Sequence, residues 1–220
     1  MAKIQPLKPF LMLLYGYPGS GKTYFARQFS ENVVSAHLQA DRIRSELFED
    51  SRYDKQENTI VTQLMNYMCE EFLAAGLSVV YDTNALRSGQ RKALYAMAHR
   101  YHVTPIIIWF QMDVDTAFYR NYKRDRRKAD DKYAAAWDRT TFESYIGNMQ
   151  NPKISENYLV VSGKHVFNMQ QSAVIAKLRN MGVLSSAAAD SKVTKPGMVN
   201  LVPNLSSGRV DLSRRNISIR

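Results

Sequence analysis

One cysteine in 220 residues, Cys69, leaves no internal disulfide to staple the chain. Cysteine and histidine nowhere fall at metal-ligand spacing, which argues against a zinc-built module and for a reducing compartment, so the expected location is cytoplasmic. Long apolar runs are also missing. The longest near the start, Phe10 to Tyr15, is far short of the roughly 20 residues that a membrane-crossing helix needs, and no membrane partner is expected. Lys3 and Lys8 precede that run as in a signal peptide. The run leads straight into a glycine-rich loop without a small-residue cleavage site, and it reads as a buried strand. Acidic residues are short as well, 20 against 30 Lys and Arg, for a net charge of +10. That surplus suits an anionic partner, nucleotide phosphates or nucleic acid, and suits equally a basic protein kept soluble by its charge.

What is present is a hydrophobic content of 45%, enough for one α/β domain and a short appendage. Short apolar runs alternate with stretches of helical period, the pattern of a parallel sheet covered by helices on both faces. Strands are expected at 10–15, 33–39, 77–81, 106–110 and 158–161. Phe25 and Phe29 share a face of a first helix, Ile43 and Leu47 of a second. Ile60, Leu64, Met65, Met68 and Phe72 mark a third helix stopped by Gly76, with Cys69 as a small core residue inside it. Further helices are expected over 88–101, from an Asp115 cap through Arg120, Arg124 and Arg127, around Phe142 to Met149, and over 173–181. Beyond Gly182 large apolar residues thin out and Lys and Arg outnumber Asp. The expected organisation is a domain over 1–182 and a basic flexible tail over 183–220.

Gly16-Tyr17-Pro18-Gly19-Ser20-Gly21-Lys22-Thr23 follows the first strand and opens the first helix. A loop of small residues lets backbone N–H groups converge on phosphate oxygens. The helix dipole adds favourable field, Lys22 reaches the terminal phosphates and the Thr23 hydroxyl ligates Mg²⁺. The fixed positions of this motif arise by chance in about one chain in a hundred of this length, before the strand and helix around it are counted. The motif implies ATP and Mg²⁺ as ligands.

In an open parallel sheet, ligands bind beyond the carboxyl ends of the strands, where Asp41 and Asp82 both fall. Asp82 fits an acid that holds Mg²⁺ or its waters. Asp41 fits a base for an attacking hydroxyl. Either can instead be a helix N-cap. Arg44 lies one turn past Asp41, facing the same cleft or exposed on its helix. Arg120, Arg124 and Arg127 at i, i+4 and i+7 share one helix face, thickened by Lys123, Arg126 and Lys128. They form either a lid that brings arginine to a transferring phosphoryl group or a solvated basic face.

Together the loop, Asp41-Arg42-Ile43-Arg44, Val79-Val80-Tyr81-Asp82-Thr83-Asn84 and the arginine-bearing segment resemble P-loop kinases of the polynucleotide-kinase and zeta-toxin type, often labelled AAA-family ATPases. The resemblance spans about 10–181 and is weakest at 48–58. It implies a three-layer α/β/α P-loop fold with a mostly parallel five-stranded sheet, and ATP-Mg²⁺ as donor. It implies further Lys22 and Asp41 in catalysis, Arg44 near an acceptor phosphate, and Arg120 or Arg124 as lid arginines. Two functions follow: transfer of the γ-phosphoryl group to a hydroxyl of a nucleic-acid end, nucleotide or small metabolite, or a nucleotide-gated module that binds nucleic acid or protein through its basic lid and tail. The Asn-Lys-x-Asp signature of GTPases is absent, and little chain follows the sheet to build the helical lid domain of ring-forming ATPases.

Overall fold

The computed structural model describes residues 3–84, 87–125, 127 and 132–185; the expected tail from 186 onward lies outside them. Five strands form one sheet: β1 (Phe10–Gly16), β2 (Ala36–Gln39), β3 (Val79–Asp82), β4 (Thr104–Gln111) and β5 (Tyr158–Ser162). Their order is β2-β3-β1-β4-β5 and every pairing is parallel. Helices α1 (Lys22–Asn32), α2 (Ala40–Leu47), α3 (Lys55–Ala74), α4 (Ser88–Arg100), α5 (Val114–Tyr122), α6 (Arg139–Gly147) and α7 (Phe167–Asn180) make the connections.

Alternation along β1 builds the two cores. Phe10, Met12 and Leu14 face α1 and α7, packing on Phe25, Phe29, Val174 and Leu178. Leu11, Leu13 and Tyr15 face α3 and α4, against Met65, Cys69, Leu94 and Met97. Both faces of β1 are buried, which explains why it reads as an unbroken apolar run. The result is three layers, with the carboxyl ends of the strands opening on one side.

Several boundaries differ from expectation. The buried stripe of α3 is Val61, Met65, Cys69 and Leu73, one residue round from the expected face, and Ile60 is 47% exposed. Packing against α2 and the sheet buries this i+4 ladder, which also includes Glu57. Residue 33 makes only an isolated bridge to Ile4, so β2 is shorter than the apolar run. Asp113, not Asp115, caps α5, accepting from the Thr116 N–H at 2.8 Å. Val183 and Leu184 are buried in the core, so packing continues past Gly182.

Candidate active site

β1 delivers Gly16 to the open edge of the sheet, and the loop turns into α1 at Gly21, whose φ of +90° is left-handed. Gly19, at φ +83°, is pressed against α5: a Cβ there would sit 2.2 Å from the Ala117 carbonyl oxygen. Only glycine fits both the conformation and the approach. No side chain caps α1, so its first-turn N–H groups are left to an anion. Lys22 folds back over the loop, its Nζ donating to the carbonyls of Gly16 at 2.8 Å and Tyr17 at 2.9 Å. Burial brings its ammonium down to about 7, with the Asp82 carboxylate opposing and Arg124 adding to the drop.

Asp82 ends β3 beside this loop and is 5% exposed. Its Oδ1 accepts from the Thr23 hydroxyl at 3.3 Å, while His37 Nε2, from β2, donates to Oδ2 at 2.9 Å. The N-cap alternative for Asp82 is excluded, since α4 begins only at Ser88. Thr23 and Asp82 present hard oxygens, the donor type that Mg²⁺ prefers. Among the described residues no cluster of three or more His, Cys, Asp or Glu could cage a metal alone. The donor set therefore fits an ion that completes its octahedron with phosphate oxygens and water. Asn84 ties this floor to the next wall: its Oδ1 accepts from the Gly16 N–H at 3.2 Å and its amide donates to the Met149 sulfur at 3.9 Å.

Asp41 sits in the first turn of α2, and the N-cap is Gln39, so the capping alternative for Asp41 is excluded too. Burial lifts its carboxyl above the usual carboxylate range; Arg124 opposes this, the Asp82 charge adds to it, and Arg44 and Lys22 oppose it. Arg44, expected either in the cleft or exposed, lines the cleft but is 5% exposed. Its terminal nitrogens donate to Glu57 at 3.0 Å and Asn58 at 2.6 Å, and its guanidinium lies 4.4 Å from the Tyr53 ring centroid. Its Nε is buried without a partner. Burial alone would raise the Glu57 carboxyl, yet the N–H groups of Arg52 and Tyr53 together with Arg44 hold it below its ordinary value. Tyr53 reaches this position at φ +57°, a left-handed conformation costing a β-carbon residue about 1–2 kcal/mol.

The arginine segment corrects the single-face reading. α5 ends at Tyr122, so only Arg120 is helical and the i, i+4, i+7 geometry does not extend to Arg124 and Arg127. Arg120 donates to the Gly163 carbonyl at 2.9 Å, and Arg124 to the Ala135 carbonyl at 3.0 Å. Arg127 pairs with Asp125 at 3.0 Å and is exposed. Arg126 and Lys128 lie outside the described residues. After the helix the chain returns over the cleft, where Asn121 Oδ1 accepts from the Trp137 N–H at 3.0 Å. This return brings in Trp137 beside Tyr145, ring centroids 4.6 Å apart.

The loop from Pro18 to Thr23, Asp41, Arg44, Asp82, Arg120 and Arg124 therefore line one cleft of about 690 Å³. Its lining groups by contact into two lobes: α5 and the loop after β5, where Arg120 donates to the Gly163 carbonyl, and Asp41 and Arg44 with Tyr53, Asn58 and the Trp137–Tyr145 pair. His37, Glu57, Tyr53 and Trp137 carried no sequence signal, and Tyr145 was marked only as part of a helix face, because their roles come from contacts between different elements and loops. Asn84 did stand within a matching motif, without a role.

The sequence matches the family model described as an AAA domain over residues 11–145, more than half of the chain. The chain belongs to that AAA-domain family. No curated protein matches it in sequence. This AAA-domain protein is similar in structure to a gluconokinase from Sinorhizobium meliloti 1021, at 13% identity and TM-score 0.59, covering 79% of this chain and 94% of that one. It is similar to Kti12 from Chaetomium thermophilum with ADP-AlF3, at 16% identity and TM-score 0.60, covering 80% and 99%. The Mycobacterium tuberculosis APS kinase CysC with AMPPNP and APS is 17% identical, with TM-score 0.56 and coverage of 78% and 98%. At these identities the likeness is one of fold, the α/β/α architecture of P-loop kinases.

Proposed function

We propose that this chain is an ATP-dependent phosphotransferase that moves the γ-phosphoryl group to a hydroxyl acceptor. The observation that carries the reading is the presence of a half-buried carboxyl, Asp41, in the same cleft as the Lys22 loop and the Thr23–Asp82 pair, beside a second lobe lined by Arg44, Tyr53, Trp137 and Tyr145. A protein that only binds or hydrolyses nucleotide needs no such lobe. The solved AMPPNP and APS complex of CysC is a precedent for two ligands on this fold.

In this reading the adenosine of ATP takes the lobe of Tyr24 and Arg120, and its phosphates meet the N–H groups of residues 17–23. The Lys22 ammonium exchanges the carbonyls of Gly16 and Tyr17 for phosphate oxygens, whose negative charge restores its proton affinity. The Thr23 hydroxyl and the Asp82 carboxylate would hold Mg²⁺, which would supply positive charge to the phosphate oxygens. His37 keeps the Asp82 carboxylate turned to Thr23. The acceptor oxygen bonds to the γ-phosphorus as the bond from that phosphorus to the β,γ-bridging oxygen breaks. ADP leaves with that electron pair, and the hydroxyl proton passes to Asp41. The charge of Arg124 acts on both Asp41 and Lys22, the two ends of the transfer path, which suits it to the equatorial oxygens.

The test is incubation with ATP-γ-³²P and a panel of sugars, nucleosides and 5′-hydroxyl oligonucleotides. Labelled acceptor from the wild type, and none from Asp41→Asn, is expected. Labelled inorganic phosphate alone, at equal rates from both proteins, would sink the reading.

A further inference from the structure

Resting on the phosphotransferase reading, we infer that the acceptor is an uncharged, hydroxyl-bearing ring compound, held face-on against an aromatic wall, and not a phosphorylated one. Beside Asp41 the cleft is lined by two arginines among the described residues, Arg124 and Arg44, and Arg44 is already neutralised. Glu57 accepts from it at 3.0 Å and Asn58 at 2.6 Å, the Tyr53 ring covers its face, and the side chain is 6% exposed. Glu57 is itself held ionised by two backbone N–H groups, from Arg52 at 2.7 Å and Tyr53 at 2.8 Å. The pair balances its own charge, with the Arg52 side chain also 3.8 Å from Glu57 and the buried Arg44 Nε left without a partner. An acceptor phosphate drawing on the terminal nitrogens of Arg44 would displace Glu57 and Asn58 and leave the buried Glu57 carboxylate to its backbone N–H groups and the more distant Arg52, at a cost.

The remaining charges point the same way. Arg124, at the border of the lobe, donates to Ala135 and balances Asp41, so it faces the transferring group. The same part of the cleft is lined by aromatic side chains: Trp137 and Tyr145, ring centroids 4.6 Å apart, with Ala134 and Ala135 beside them. Sugars lay their C–H faces, and nucleosides their bases, on such surfaces. Tyr53, at φ +57°, turns its N–H to Glu57 and its ring to Arg44, so the loop itself takes part in holding the Arg44–Glu57 unit.

The inference is tested on the full chain, with Mg²⁺-AMPPNP saturating the donor lobe, by saturation-transfer NMR on matched pairs: glucose with glucose 6-phosphate, and thymidine with thymidine 5′-monophosphate. In at least one pair the neutral member is expected to bind about tenfold or more tighter than its phosphate, and the pair that does so tells sugar from nucleoside. Trp137→Ala, which keeps the backbone bond to Asn121, is expected to weaken that neutral ligand about tenfold. Glu57→Gln, which leaves the Arg44 charge unbalanced, is expected to narrow or reverse the preference. If Glu57→Gln does not fold, the wild-type ranking and Trp137→Ala decide. Phosphates bound as tightly as the neutral partners in both pairs, no binding by any of the four, or no effect of Trp137→Ala overturns the inference. ³²P transfer to phosphorylated acceptors alone would overturn it and leave the kinase standing; preferential binding of neutral rings without transfer would do the opposite.

Discussion

Burial brings the Lys22 ammonium down to about 7 in the nucleotide-free protein, and ATP brings negative charge to within hydrogen-bonding reach and raises that value, so binding near pH 7 should take up a fraction of a proton. Calorimetry in buffers of different ionisation enthalpy reads this directly, and no buffer dependence would contradict it. The same lowering has a stability sign. Between about 7 and 10.5 the unfolded chain holds more protons at this site, so the Lys22 penalty is complete below about 7 and fades as pH rises to 10.5. Lys22→Met is therefore expected to melt about 2–4 °C higher than wild type at pH 7 without nucleotide, a gap closing toward pH 10. Thermal scans at both pH values check it. Asp41 is raised by burial, so the transfer rate should climb with pH through a midpoint above the ordinary carboxylate value. Asp41→Asn should lower transfer about 10²–10⁴-fold with ATP affinity retained, as steady-state kinetics and calorimetry would show.

Among the elements, α4 adds to its apolar contacts a large, fully buried charged side chain. Arg91 is wholly buried and makes a two-pronged contact with Glu156, at 2.6 and 3.0 Å, while its NH1 donates to the Gln150 carbonyl at 2.8 Å. It also lies over the Tyr15 ring. Burial alone would raise the Glu156 carboxyl; Arg91 and the Lys153 N–H outweigh it and hold it low. The pair therefore stabilises the fold at neutral pH and is lost as pH falls through the depressed Glu156 value. Residues 149–151, which it anchors, reach Asn84 through the Met149 sulfur and Tyr15 through Asn151. Arg91→Met should cost about 3–5 kcal/mol in urea unfolding, because it strands Glu156, and Arg91→Met/Glu156→Gln should regain part of that. A single variant as stable as wild type would remove the Arg91–Glu156 pair from the docking of α4.

For the molecule as a whole, the cleft runs between the open edge of the sheet and the chain returning from α5, so nucleotide joins parts that are distant in sequence. ATP-Mg²⁺ at one hundred times its Kd should stabilise the protein by about 2.7 kcal/mol, or about 5–10 °C in Tm for a domain of this size. Scanning fluorimetry checks this, and Lys22→Met should lose the shift. The sequence by itself determined the phosphate loop, the order of strands and helices, and the strand-end places of Asp41 and Asp82. Those features are written in local spacing: glycines in one octapeptide, a period of two or of 3.6, an acid after an apolar run. Its limits show at particular residues. The face of α3 was displaced by one residue because α2 and the sheet chose it, and Arg124 left the helix because α5 ends at Tyr122. Only the tertiary structure decided that His37 grips Asp82, although its register partner is Val80, and that Trp137 meets Tyr145. It alone closed Arg44 onto Glu57, 13 residues away, turning a residue expected near an acceptor phosphate into half of a neutral pair. Charge on a side chain is a property of sequence, but what balances it depends on long-range packing, and so the acceptor lobe could not be read until the chain was folded.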